Sequence, residues 1–104
     1  MTIEIYQART NINESRDILC MDYKDVIKKF SDLKNTYTKY YEKKYEYSED
    51  YTDLTDREIL DIIFEKFNLD CPDDFIGHSL SVSDIVALND KLYFCDSYGW
   101  KIIE

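Results

Sequence analysis

The chain opens on a strict alternation. In "TIEIYQAR", Ile3 and Ile5 fall on one side, and Glu4 and Tyr6 on the other. A period of two predicts a strand with one face buried. A polar turn, "NINES", follows, and "RDILC" reads as a short second strand. The period then lengthens. In "MDYKDVIKKF", Tyr23, Val26, Ile27 and Phe30 share a helical face. Asp22 stands where a cap is needed, and Met21 and Val26 hold the two staple positions around it.

The next stretch, "YTKYYEKKYEYSEDY", fits two periods. Tyr37, Tyr41, Tyr45 and Tyr47 share one side of a strand, while Tyr37, Tyr40, Tyr41 and Tyr45 also fit helical spacing. Aromatic enrichment favours the strand. "TDREILDIIFEKFN" is unambiguous. Thr55 and Glu58 have the spacing of a capping box, and Ile59, Ile62, Ile63 and Phe67 make an apolar stripe widened by Leu60 and Phe64. Glu58, Asp61 and Glu65 cluster on the opposite side, three and four residues apart, as a solvated acidic row.

"LDCPDDFIGHS" predicts a bend, with Pro72 ending the helix and Gly77 supplying an unusual backbone conformation. In "SLSVSD", Leu80 and Val82 alternate with Ser79, Ser81 and Ser83. The hydroxyls can bind the bend, and Ser83 or Asp84 can anchor the approach to a hairpin. "DIVALND" and "KLYFCDS" form that hairpin around Asn89-Asp90. Asp96 and Ser97 close a turn at Tyr98-Gly99, and "WKII", beginning at Trp100, returns as a last strand. The sum is one α+β domain over residues 1–104: a mostly antiparallel sheet of about four to five strands with two packed helices.

Charge changes the picture. The formal net charge is −9, yet residues 1–36 are balanced, so the whole excess lies in the last two thirds. Such a surface repels phosphate backbones and anionic lipid and attracts basic proteins. Three widely spaced cysteines, with no C-x-x-C pair, argue for free thiols in a reducing compartment. With no basic leader and no long apolar run, a soluble, intracellular protein is expected.

Candidate chemistry is thin. His78, Ser79 and Asp84 supply the letters of a hydrolase triad, but adjacent residues of an extended chain point apart, and no G-x-S-x-G elbow is present. The cysteine and histidine spacings suit no zinc site, and two glycines 22 residues apart make no nucleotide loop. No catalytic residue, cofactor or metal is expected. Gly77, His78, Ser79, Ser81, Ser83, Asp84, Asp96, Gly99 and Trp100 read as a structural motif.

Those same residues carry a resemblance. The run Phe67-Asn68, Pro72, Asp74-Phe75, Gly77 to Asp84, Asp96-Ser97 and Gly99-Trp100 resembles the YodL-like domain, with its pattern FN…P.DF.GRSLSVSDVV…YYVDS.GF. Ile5-Tyr6-Gln7 and Met21-Asp22-Tyr23 are similar to the family's first strand and the entry to its first helix. His78 replaces the common arginine, and Trp100 the common phenylalanine. The resemblance implies a setting in mobile elements of Gram-positive bacteria and brings no catalytic residue with it.

Context, size and charge then suggest, by analogy, an anti-CRISPR protein of the type II-A kind. It would bind Cas9, with or without guide RNA, and block guide or DNA binding. The expected face comprises Glu42, Glu46, Glu49, Asp50, Asp53, Asp56, Glu58, Asp61 and Glu65, with Tyr45, Tyr47 and Tyr51 between the charges. The alternatives are a non-enzymatic regulatory module of a mobile element and an enzyme that trims the guide RNA.

Overall fold

The computed structural model describes residues 1–103; Glu104, the last residue of the expected domain, lies outside them. Alternation at the start gives β1 (Thr2–Ala8). It is followed by α1 (Asn13–Arg16), α2 (Tyr23–Lys29), α3 (Leu33–Tyr40), β2 (Tyr41–Ser48), α4 (Asp56–Leu69), β3 (Ile85–Leu88), β4 (Lys91–Asp96) and β5 (Gly99–Ile102). The strands form one antiparallel sheet in the order β2-β1-β3-β4-β5.

The two faces of the sheet are covered by different helices. Ile3, Ile5, Val86 and Leu88 pack under Ile59, Leu60, Ile63 and Phe67 of α4. Tyr6, Ala8, Ile85, Ala87 and Phe94 pack on the other face with Ile18, with Val26 and Phe30 from α2 and its C-terminal end, and with Leu33 of α3. Central strands buried on both sides explain the unbroken apolar run at 85–88. Burial of each large side chain stabilises the fold by about 1.5–3 kcal/mol.

Three expectations about the elements are corrected. "RDILC" is not a strand: α1 ends at Arg16 and a tight turn follows, with Ile18 wholly buried in the core. The tyrosine segment is both things in succession. Its first part is α3, where Tyr37 stacks edge-on against Tyr6 at 5.1 Å, and its second part is β2. Nor do its tyrosines share a face. Ile5 pairs with Tyr45 but Tyr6 pairs with Lys43, so Lys44 is an extra, bulged residue. A bulge shifts the side-chain alternation by one. Tyr41 therefore lies in the α2–α3 side of the core, and Tyr45 and Tyr47 on the α4 side.

The hairpin and last turn form as expected. Asn89 takes a positive φ of 54° at the hairpin turn, and Gly99 one of 85° at the next. Asp22 sits at the N-cap of α2, but its side chain does not cap. It accepts a hydrogen bond from Ser97 Oγ, and Asp96 Oδ1 takes the helix's first N–H, from Tyr23, at 3.0 Å. The two acids have exchanged roles across the sheet end. Among the described residues no helix is long and apolar enough to cross a membrane.

Candidate functional site

The serine-rich motif is a loop, and its "alternation" is not a strand's. Leu80 is buried, but so are Ser83 and Asp84, both with no exposed surface. The segment turns back at 81–84, where Asp84 N–H donates to the Ser81 carbonyl at 3.1 Å. Ser83 holds a left-handed φ of 84°. Such a conformation is costly for a residue with a Cβ, so the surroundings must enforce it. They do: Tyr41 Oη donates to the Ser83 carbonyl at 2.5 Å, and Ser83 Oγ accepts from Cys20 N–H at 3.2 Å.

Gln7 organises the other half of the loop. It continues the Ile3–Ile5 face of β1 and is buried. Its two amide hydrogens go to the His78 carbonyl at 2.8 Å and to Asp84 Oδ2 at 3.0 Å, and its Oε1 accepts from His78 N–H at 3.2 Å. Asp84 Oδ2 also accepts from Ser81 N–H at 2.9 Å. Gly77 does not take a positive φ. A Cβ there would lie 2.2 Å from Gln7 Oε1 and 2.8 Å from Phe75 Cζ, so the glycine allows a close approach rather than an unusual backbone.

Among the described residues, Asp84 Oδ1 finds no hydrogen-bond partner, and it faces His78 Nε2 at 3.9 Å. Burial pushes the Asp84 carboxyl up to about 6, against the opposing pull of the Ser81 N–H, His78 and Gln7. His78 Nδ1–H donates to the Ser79 carbonyl at 2.7 Å, so that nitrogen addresses backbone and no serine hydroxyl. Ser79 is exposed and Ser81 half-buried. These contacts lock the loop over the end of β1.

The acidic positions divide into two groups. Glu42 pairs with Lys44 at 2.9 Å, and Glu46 with Lys43 at 2.7 Å, both on the edge strand. Asp56 accepts from Tyr93 Oη at 2.6 Å and pairs with Lys91 at 3.3 Å. These contacts hold all three carboxyls below their ordinary range, with the Lys44, Lys43 and Tyr93 hydrogen bonds as the largest causes. Asp50 is engaged by Thr52, through its side chain and its N–H. Glu58 closes the capping box with Thr55, as its spacing predicts. Among the described residues, Glu49, Asp53, Asp61 and Glu65 form no ion pair.

The tyrosines named with them are half-buried. Tyr45 packs against Phe67 and Phe75 and donates to Asp74 at 2.8 Å. Tyr47 lies under Lys66 Nζ, 4.6 Å from its ring centre, and Tyr51 also packs on the α4-side core.

What α4 does present is different from the expected stripe. Leu60 is in the core, whereas Ile62 and Phe64 stand 39% and 40% exposed beside Asp61 and Glu65. Phe64 meets Trp100 of β5 edge-on at 6.5 Å. Between them opens a cleft of about 200 Å³ lined by Asp61, Phe64, Cys95, Asp96, Ser97, Gly99 and Trp100. Here carboxylates stand beside one exposed ring, Phe64, and one half-buried indole, Trp100. Residue spacing alone could not find it, because Trp100 and Phe64 are joined only by the sheet's closure over α4.

A family model for the YodL-like domain matches residues 2–104. This chain belongs to the YodL-like domain family. An uncharacterised protein of Acanthamoeba polyphaga mimivirus is 37% identical, over 64% of this chain and 71% of its own length. A relative of this chain therefore occurs in a mimivirus, outside the Gram-positive elements that the resemblance implied. No solved structure matches the chain significantly.

Proposed function

We propose that this YodL-like domain is a non-catalytic binding protein that offers the outer side of α4, with the adjoining end of β5, to a basic protein. The observation that carries this reading is the neighbourhood of Ile62 and Phe64. Their exposed apolar surface lies among Asp61 and Glu65, which pair with no cation among the described residues. The carboxylates of Glu42, Glu46 and Asp56 are already neutralised by the chain's own lysines. Paired in this way, they offer a partner little free charge. Unpaired carboxylates match arginine-rich, nucleic-acid-binding surfaces, and the apolar side chains add desolvated area.

Cas9 in a bacterial host cytoplasm is the partner this reading puts first, because it holds guide and target in cationic channels. The test is co-purification with Cas9, with and without guide RNA, at rising salt. Binding should weaken steeply with salt, and Asp61→Lys with Glu65→Lys should weaken it far more than Glu42→Lys with Glu46→Lys. Equal loss in the two pairs, or no complex at low salt, refutes the assignment. In a second form of the same reading, the partner is another basic protein that handles nucleic acid in a mobile element. Capture of such a protein with no retention of Cas9 would select it.

A further inference from the structure

The cleft between α4 and the β4–β5 turn combines three features. Its walls are aromatic: the Trp100 indole and the Phe64 ring meet edge-on, 6.5 Å apart. Two carboxylates from different elements flank it, Asp61 on α4 and Asp96 at the end of β4. Among the described residues, no lysine, arginine or histidine lines it. Its volume of about 200 Å³ suits one long side chain and is small for a peptide segment or a folded element.

The faces of aromatic rings attract cations, tryptophan most strongly. Guanidinium adds to this a planar shape that stacks on a ring while its N–H fork meets a carboxylate. We propose that the cleft receives a single arginine side chain of the partner, stacked against Trp100 and paired with Asp61. This deepens the reading of α4 as a surface for a basic protein and rests on it.

Asp96 is the less adaptable of the two acids, because one of its oxygens holds the first N–H of α2. Asp61 forms no ion pair among the described residues and sits on an exposed helical position, so it is the partner for the incoming charge. The chain's own Arg57 stands close to Gly99, one of the lining residues. Its guanidinium lies 3.8 Å from where a Cβ on Gly99 would stand. Any larger residue at 99 would come into contact with that guanidinium and would also have to adopt the positive φ of 85°.

Trp100 is the only tryptophan of the chain, so its fluorescence reports on this cleft alone. The probes are the blocked tripeptides Ac-Gly-Arg-Gly-NH₂, its lysine version and its uncharged citrulline version. The arginine peptide should give a saturable change in the millimolar range, as a lone cation–π contact with one charge pair allows, about tenfold tighter than citrulline. Asp61→Asn should weaken it several-fold and Arg57→Gln should tighten it, both with unchanged circular dichroism.

No saturation by about 20 mM arginine peptide, a Kd already too weak for such a contact, overturns the proposal. So does equal binding of citrulline, lysine as tight as arginine, an unaffected Asp61→Asn, or weaker binding by Arg57→Gln. None of these outcomes depends on Cas9 or any other protein, so a silent cleft and a failed partner reading remain separate results.

Discussion

Gln7 Oε1 fills the space where a side chain at residue 77 would begin: a Cβ on Gly77 would stand 2.2 Å from it. The two residues are far apart in sequence, and the contact welds the bend to the first strand. Gln7 cannot simply swing aside, because it is buried and its amide holds the His78 backbone and Asp84. Gly77→Ala should therefore cost about 1–3 kcal/mol, the usual penalty for overpacking. In a Gln7→Ala background the same change should cost clearly less, since one of the two clashing groups is gone. Urea unfolding of the four proteins measures this; additive losses would show that Gln7 does not set the glycine requirement.

Tyr41 is an anchor of the same loop. Its hydroxyl donates to the Ser83 carbonyl in a buried contact of 2.5 Å, and burial, with the Asp84 charge, raises its pKa strongly. Tyr41→Phe leaves a buried acceptor without that donor and should destabilise by about 1–3 kcal/mol. Tyr98→Phe, at a residue 93% exposed, should be near neutral under the same conditions.

Asp84 makes stability depend on pH in a direction opposite to that of most paired acids. Its folded value of about 6 lies above its ordinary 3.8, so between these the folded state binds more protons than the unfolded. Its contribution is fully present below about pH 3.8 and is lost as pH rises through about 6. The loss is on the order of 3 kcal/mol. The Asp84 charge acts in turn on Tyr41 and on the Cys95 thiol, which burial pushes up to about 12, and the His78 ring faces it. Thermal melts from pH 4 to 7.5 should show wild type losing stability relative to Asp84→Asn across that window. Parallel curves would mean that the buried carboxyl titrates at its ordinary value.

The capping box of α4 gives a control for the binding tests. Thr55 Oγ1 accepts from Glu58 N–H at 3.2 Å, and Glu58 Oε1 accepts from Thr55 N–H at 3.1 Å. Thr55→Ala should cost about 1 kcal/mol in denaturant titration. Glu58→Lys should cost at least a similar amount, because it also places a positive charge at the positive end of the helix dipole. A loss of partner binding by Glu58→Lys is thus uninformative unless its stability is measured beside it, whereas Asp61 and Glu65 carry no such structural duty.

Much of this architecture was legible in the residues, and the failures share a cause. Thr55 and Glu58 declared the start of α4, and Asn89 and Gly99 marked the two turns, because caps and positive-φ turns are local. The bulge at Lys44 was not legible. It is a property of β1 pairing with β2, and it alone decides that Tyr41 and Tyr45 face opposite sides. Asp22 looked like a cap by position, yet Asp96, brought over by β4, took the task. Gln7 did leave a trace: a polar side chain in line with Ile3 and Ile5 has to find buried partners, and both lie in the bend around His78 and Asp84. For the candidate site, Asp61 and Glu65 were visible as exposed acids, but Phe64 was assigned to the core. Its true setting depends on where β5 ends up.

The position of β1 has a consequence for how the molecule is made. It lies between β2 and β3, and Ile3 is aligned with Leu88 nearly a full chain length away. During synthesis β1 leaves the ribosome long before its second neighbour exists, so its far edge must wait unpaired. Contacts of such long sequence separation close slowly. The nascent protein is therefore expected to complete its sheet only after β3 has emerged, and to be most prone to capture by chaperones, or by another copy of itself, during that interval.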